Sequence, residues 1–424
     1  MLSMISMKTA VIINTCTKMM NYDLEDLSKN KIRLVAITSS HDFKKFNALY
    51  GKYFSRIEAS PEPESAHLEK INFSFAKKII QEELKNSEFL RVICQSEDNL
   101  LLAAQLRDEL KIPGMGFEQT LVFRDKVLMK DALGKANIRL PKYKKFVSEH
   151  DSKIDLLFEN LKTEFKLPFV IKPTKLLGGA GVEIIHSLKE LGGALKNTSS
   201  HMEYEVEEFI SGTLYHCDTI RQNGKTLFAV CCQYTNPNFD FQLGKSVISF
   251  PLENKDPIVK RIFSFNESVL DTLDFHTGTS HHEMFIKDSG EIVFLEIAAR
   301  SPGAVVTPMY KKEYGIGFED IAFKIEMQIP FTLPDSPLSM EIKTHYLSGI
   351  FPMIPGVVKE LLIPNIKSQH KIKWLVDIGS EMSGCKGLRD ISASIEAWND
   401  DHEILENDFE ILKNFQSVSV IGID

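Results

Sequence analysis

Glu296 stands inside the apolar run IVFLEIAA, and a carboxylate at that place limits what the chain can become. A charge taken out of water must be paired, hydrogen-bonded or bound to a metal. The run reads as a strand, and a second strand precedes it over residues 282–287, carrying Glu283 in HHEMF. Asp288-Ser289-Gly290 between them reads as a tight turn. Antiparallel pairing would bring both carboxylates onto one face, the arrangement needed to hold Mg²⁺ between protein and nucleotide phosphates. Arg300, four residues after Glu296, would set a planar guanidinium beside the same phosphates. A glutamate paired inside an ordinary core is the alternative.

Three further stretches point the same way. In FVIKPTKLLGGAGV, Lys172 closes a strand and Gly178, Gly179 and Gly181 follow it in a loop. The lysine supplies a fixed positive charge, and the glycines let backbone N–H groups approach phosphate oxygens with no Cβ in the way. In a Walker A loop the lysine follows the glycines, so this is a different device; a plain glycine-rich hairpin turn is the alternative. Lys126, in Arg124-Asp125-Lys126, reads as a second phosphate lysine or as part of a charged surface helix. The stretch YEVEEFISG, residues 204–212, reads as a strand running into a small turn. Its edge offers donors and acceptors to an adenine, while Glu207 and Glu208 offer carboxylates to a ribose. An edge strand with solvated glutamates is the plainer account. His281 and His282 read as polar strand-end surface, or as groups at the substrate or behind the metal.

The order of elements divides the chain. Residues 9–13, 34–37 and 90–93 are short apolar strands, and 66–84 and 99–110 are helical, which predicts a small doubly wound parallel sheet. No G-x-G-x-x-G follows the first strand, so a dinucleotide site is not indicated. After Pro113-Gly114 and a helical stretch over 123–137, strands at 167–172, 182–185, 204–209, 215–221, 226–234, 282–287 and 291–297 follow with short connections. A short helix near 187–195 interrupts them. The interior is therefore largely antiparallel and the class α+β, with an α/β amino-terminal unit. Boundaries fall at 1–118, 119–212 and 213–424. From about residue 333 isolated strands alternate with turns, ending in a helix over 408–415 and a strand over 418–423.

Taken in this order and spacing, the motifs resemble the ATP-grasp superfamily. LEIAARSPG and SEDNLLLAAQLRDELKIPGMGFEQTLVFRDKVLMKDAL are similar in particular to its carboxylate–amine ligases of the L-amino acid ligase type. The similarity spans roughly residues 8–330 and loosens after 333. It implies that Lys126 and Lys172 contact the nucleotide phosphates beneath a flap of Gly178, Gly179 and Gly181. Glu207, Glu208, Phe209 and Ile210 would be the hinge that reads adenine. Glu283 and Glu296 would bind one or two Mg²⁺ or Mn²⁺. Lys172 and Arg300 would be catalytic, Arg300 steadying first the γ-phosphate and then an acyl phosphate. Arg300, Ser301, Gly303, Ala304 and Glu97 would border the substrate pocket, with the small Ala304 leaving room for a bulky side chain. Many relatives carry a glutamate at Leu214 for the ribose, so Glu207 or His216 would serve instead. Many also carry asparagine at Ala298 as a further metal ligand.

The implied reaction is ATP-dependent joining of a carboxylate to an amine through an acyl phosphate, releasing ADP and phosphate. The partners would be small molecules, amino acids or an amino-acid-like natural-product precursor, with a carrier-tethered substrate as a variant; a homodimer is expected by analogy. A biotin- or purine-type carboxylase using bicarbonate, and a catalytically silent ATP-binding protein, are the rival readings. The formal charge of −8 gives no electrostatic reason to bind nucleic acid. No apolar run approaches the roughly 20 residues of a membrane span. The cysteines at 16, 94, 217, 231, 232 and 385 show no metal spacing, which fits reduced thiols in a cytoplasmic enzyme.

Overall fold

A computed structural model describes residues 8–15, 20–63, 70–146, 154–199, 202–303, 305–333 and 340–422. Strands β1 (Lys8–Ile13), β2 (Arg33–Ser39), β3 (Arg56–Ser60) and β4 (Phe89–Cys94) form a parallel sheet in the order β3-β2-β1-β4. The apolar runs of β1 and β2 fill two cores at once. Val11, Ile13, Val35 and Ile37 face the helices Phe73–Leu84 and Leu100–Leu110, while Ala10, Ile12, Leu34 and Ala36 face the opposite layer. Strands buried on both faces read as continuous apolar runs. β3 lies at the sheet edge and alternates charged with apolar residues, which hid it from the sequence reading. Of the helix expected over 66–84, residues 66–69 lie outside those described.

β5 (Tyr143–Phe146), β6 (Phe169–Pro173), β7 (Glu183–Ile185) and β8 (Tyr204–Glu208) make an antiparallel sheet ordered β5-β8-β6-β7. The expected hairpin is present, with Phe169 opposite Ile185. Tyr204 and Val206 point into a core with Phe169 and Ile171, so Glu205 and Glu207 turn to the other face.

The next strands are β9 (Thr213–Gln222), β10 (Lys225–Tyr234), β11 (Val247–Pro251), β12 (Gly278–Ile286), β13 (Ile292–Ala298) and β14 (His345–Pro352). Beyond them the chain passes between two sheets, through β15 (Gly356–Leu361), β16 (Gln369–Trp374), β17 (Glu381–Met382), β18 (Ile391–Asn399) and β19 (Val418–Ile421). One sheet runs β13-β12-β9-β10-β11-β14-β18-β16; β17-β15-β19 form a small second one. The large sheet is covered on one face by the helix Pro257–Thr272 and on the other by Val306–Tyr314 and Phe318–Glu326. Cys231 enters the first of these layers and Cys232 the second, the divergence expected of strand neighbours. Among the described cysteines none forms a disulfide.

The last helix runs from His402 to Leu412, earlier than the 408–415 expected. Asp401 caps it, accepting from the N–H groups of Glu403 and Ile404, and Asp408 lies mid-helix, receiving the N–H groups of Lys367 and Ser368. No helix among the described residues is long and apolar enough to cross a membrane.

Candidate active site

Glu283 on β12 and Glu296 on β13 are cross-strand partners, so their carboxylates share a face. Glu283 is buried, and its Oε1 accepts from Asn238 Nδ2 at 2.8 Å and lies 3.2 Å from His281 Nε2. Burial alone would raise its pKa, but the hydrogen bond and charge of His281, together with Asn238, hold it below the usual carboxylate range. Glu296 keeps 30% of its side chain exposed and pairs through Oε2 with Lys126 Nζ at 3.0 Å. Lys126 begins the helix Lys126–Leu133, capped by Asp125, and its Nζ also donates to the Leu176 carbonyl at the start of the glycine loop. Lys126 therefore bridges Glu296, the cross-strand partner of Glu283, and the start of the glycine loop.

Lys172 does not stand free at its strand end. Its Nζ pairs with Glu207 Oε1 and lies 3.6 Å from Glu205 Oε1. Glu207 Oε2 and both oxygens of Glu205 receive Lys130 Nζ at 2.7–2.8 Å. Two lysines and two glutamates thus form a buried quartet on β6, β8 and the helix Lys126–Leu133. Burial would lower the Lys172 pKa, but Glu207 and Glu205 raise it above its ordinary value; burial would raise that of Glu207, but Lys130 and Lys172 hold it at about 2. The sequence reading missed Lys130 and Glu205. Both had a periodicity signal: Lys130 follows Lys126 by one helical turn, and Glu205 shares the alternate face of β8 with Glu207.

This quartet corrects the ribose role read for Glu207, because its carboxylate is committed to lysines. Glu208 is likewise engaged, by Arg139 Nη2 at 3.0 Å and by the Lys142 N–H. Past the end of β8, Phe209 is 37% exposed and Ile210 half-buried, and their backbone leaves the sheet ladder. His216 is fully buried, with Nδ1 on Asp218 at 2.8 Å and Nε2 on Ser249 at 2.7 Å, so its ring is closed to a ribose in this arrangement.

Gly178, Gly179 and Gly181 adopt φ of 62°, 74° and 69°, the left-handed region that glycine enters without strain. Their loop is docked: Gln242 Nε2 donates to the Gly179 carbonyl at 2.6 Å, and Leu388 of the carboxy-terminal stretch packs over Gly178.

Arg300, just past β13, meets Glu97, which follows β4 in the parallel sheet, through Nε at 2.7 Å and through Nη2. Glu97 also receives Arg124, a partner the sequence reading left unassigned. Ser301 N–H donates to Gln95 Oε1 at 2.8 Å, and the Gly303 carbonyl accepts from Val306 N–H. Ala304 lies outside the described residues. Ligands of open α/β sheets gather beyond the carboxyl ends of the strands, where Glu97 stands.

These are paired carboxylates, lysines ion-paired to glutamates and a glycine loop spread over two antiparallel sheets. Residues 165–308, which include Lys172, the glycine loop, Glu283, Glu296 and Arg300, match a family model described as the ATP-grasp domain. That stretch is an ATP-grasp domain. The chain is 28% identical over 311 residues to the L-arginine-specific L-amino acid ligase of Bacillus subtilis, covering 71% of this chain and 72% of that one. It is 24% identical over 220 residues to the D-alanine–D-alanine ligase of Geotalea uraniireducens, covering 50% and 68%. Its fold is that of the L-amino acid ligase of Bacillus licheniformis, with a TM-score of 0.73 at 17% identity over 98% of this chain and 99% of that one.

The ATP-grasp site fits a divalent cation. Two carboxylates share one face, and beside them Asn238 Oδ1 is buried without a hydrogen-bond partner among the described residues. An oxygen acceptor of that kind suits a hard cation. His281 and His282 are not the polar surface expected of them. His282 turns away between Phe265 and Phe294, where burial lowers its pKa to about 3. His281 turns toward the carboxylates; burial would lower its pKa, but Asp218 and Glu283 raise it to about 10.

Strong acid should weaken the Glu97 cluster. Burial would raise the Glu97 pKa, but Arg300 and Arg124 hold it at about 2, below its ordinary 4.5. A lowered folded-state pKa gives stability that is complete above about pH 4.5 and lost as pH falls toward 2. The gap in urea midpoint between the native chain and Glu97→Gln should therefore narrow steadily across that window. A gap independent of pH would show that the pairing stabilises nothing.

Proposed function

We propose that this ATP-grasp enzyme is a carboxylate–amine ligase that activates an acid as its acyl phosphate and captures it with an amine, the substrates being amino acids or close relatives. The observation that carries the reading is the convergence of Glu283, Glu296 and Lys126 with the Arg300–Glu97–Arg124 cluster, Arg124 and Lys126 both donating to carbonyls that lead into the glycine loop. A free carboxylate resists amines because oxide is a poor leaving group. Transfer of the γ-phosphoryl group of ATP supplies a good one, and the protein's work is positioning and charge neutralisation.

In this reading Lys126 and Lys172 hold the phosphates, Lys172 with its charge fixed by Glu207 beneath. Arg300 exchanges part of its bond to Glu97 for the transferred phosphoryl group, and the released carboxylate faces the amino group of a substrate. Mg²⁺, held by Glu283 and Glu296, would neutralise charge on the β- and γ-oxygens. The backbone at Phe209 and Ile210 serves the adenine, and the glycine loop excludes water from the reacting carbonyl. Units at 1–118, 119–212 and 213–424 would contribute Glu97, the phosphate loop with Arg124, and the cation strands with Arg300 respectively.

The test is ADP release from Mg-ATP across single and paired amino acids, with hydroxylamine in parallel. Acid-dependent ADP with a trapped hydroxamate is expected. ADP formed with bicarbonate but with no amino acid would favour a carboxylase and overturn the ligase.

A further inference from the structure

His281 occupies an unusual place beside the paired glutamates. It lies two residues before Glu283 on the same face of β12, and its cross-strand partner is Ala298, whose methyl group offers no donor. Its two ring nitrogens have different surroundings. Nδ1 is held by Asp218 Oδ1 at 2.6 Å, and Nε2 reaches to 3.2 Å from Glu283 Oε1. Asp218 is itself fixed: its Oδ2 meets His216 Nδ1 at 2.8 Å and receives the Tyr310 hydroxyl, all at fully buried positions. A buried carboxylate that fixes one imidazole nitrogen and aims the other at paired carboxylates is the arrangement that orients a metal-binding histidine. Asp218, His216 and His281 place ligand atoms within 4.8 Å of one another. Both Asp218 oxygens are occupied by imidazoles, which leaves His281 Nε2 as the outward-facing donor of the group.

We propose that His281 Nε2 is a third protein ligand of the divalent cation, with Asp218 as its positioning residue. This rests on the reading of Glu283 and Glu296 as cation ligands. An imidazole among oxygen donors moves the preference of the site from Mg²⁺ toward Mn²⁺ and Co²⁺. The Asp218 network, remote from the phosphates, is thereby tied to metal choice.

Mn²⁺ bound to the full chain with ADP serves as the probe, read by electron spin-echo modulation. Nitrogen coupling to Mn²⁺ is expected, and growth on ¹⁵N-histidine should change its frequency, which separates imidazole from adenine and needs no substitution. His281→Gln should abolish the coupling while Mn²⁺ still binds. Asp218→Asn should weaken Mn²⁺ about 10–100-fold and Mg²⁺ less. Mn²⁺ bound with modulation insensitive to histidine labelling would overturn the inference and leave the carboxylate site standing. Mn²⁺ affinity unchanged by Glu296→Gln would overturn the cation site itself, and the inference with it.

Discussion

Lys130→Met should lower folding stability by about 3–5 kcal/mol, the loss typical of breaking a buried ion pair from one side. The Lys130 side chain is fully enclosed, and its ammonium holds both oxygens of Glu205 and one of Glu207. Without it Glu205 keeps Lys172 at 3.6 Å, too far for a hydrogen bond, and an under-compensated carboxylate stays buried. Urea unfolding of the purified variant gives the measurement. Lys130→Met combined with Glu205→Met should recover much of the loss, because replacing both members of such a pair by apolar groups is often close to neutral. A loss in the single variant below about 1 kcal/mol, the worth of an exposed pair, would mean that the quartet is solvated.

Glu296→Gln should behave in the opposite way, keeping the fold and losing the chemistry. Its side chain is 30% exposed, and the buried Lys126 keeps the Leu176 carbonyl as a partner, so melting should shift much less than in Lys130→Met. Removing one of two carboxylates that hold a phosphate-bridging cation forfeits several kcal/mol of charge stabilisation, on the order of a 10³-fold fall in ADP formation. Activity within about ten-fold of the native chain would remove Glu296 from the site.

What could be read in advance depended on whether a residue stood out from its neighbours. Glu296 did, as a charge in an apolar run, and so did the glycines after Lys172; Lys126 touches both Glu296 and the start of the glycine loop. Glu205, Lys130, Arg124, Asp218 and Asn238 did not, because each lies in a stretch whose polarity is unremarkable until pairing partners 20 to 100 residues away are brought alongside. Among the elements, β1, β2 and β4 were legible as short β-branched runs, whereas β3 alternates charge at an edge. The helix Pro257–Thr272 went unread although its signals are present: Asp256 caps it, Pro257 opens it, and Val259, Ile262, Val269 and Leu270 form its inner stripe. Ser264, Asn266 and Glu267 break the apolar pattern that a scan for hydrophobic runs follows.

The strand order of the large sheet bears on where this chain can be cut. The motifs read from the sequence end before residue 333, which invites trimming there, yet β14, β18 and β16 lie beyond it and complete a sheet that begins with the glutamate strands. Cutting at that point would uncover β11, whose five residues, VISFP, are all buried and would then present unpaired backbone groups at an open rim. Such an apolar edge recruits strands from neighbouring molecules, so the shortened chain would self-associate. It would also unseat Ser249, the residue on β11 that holds His216.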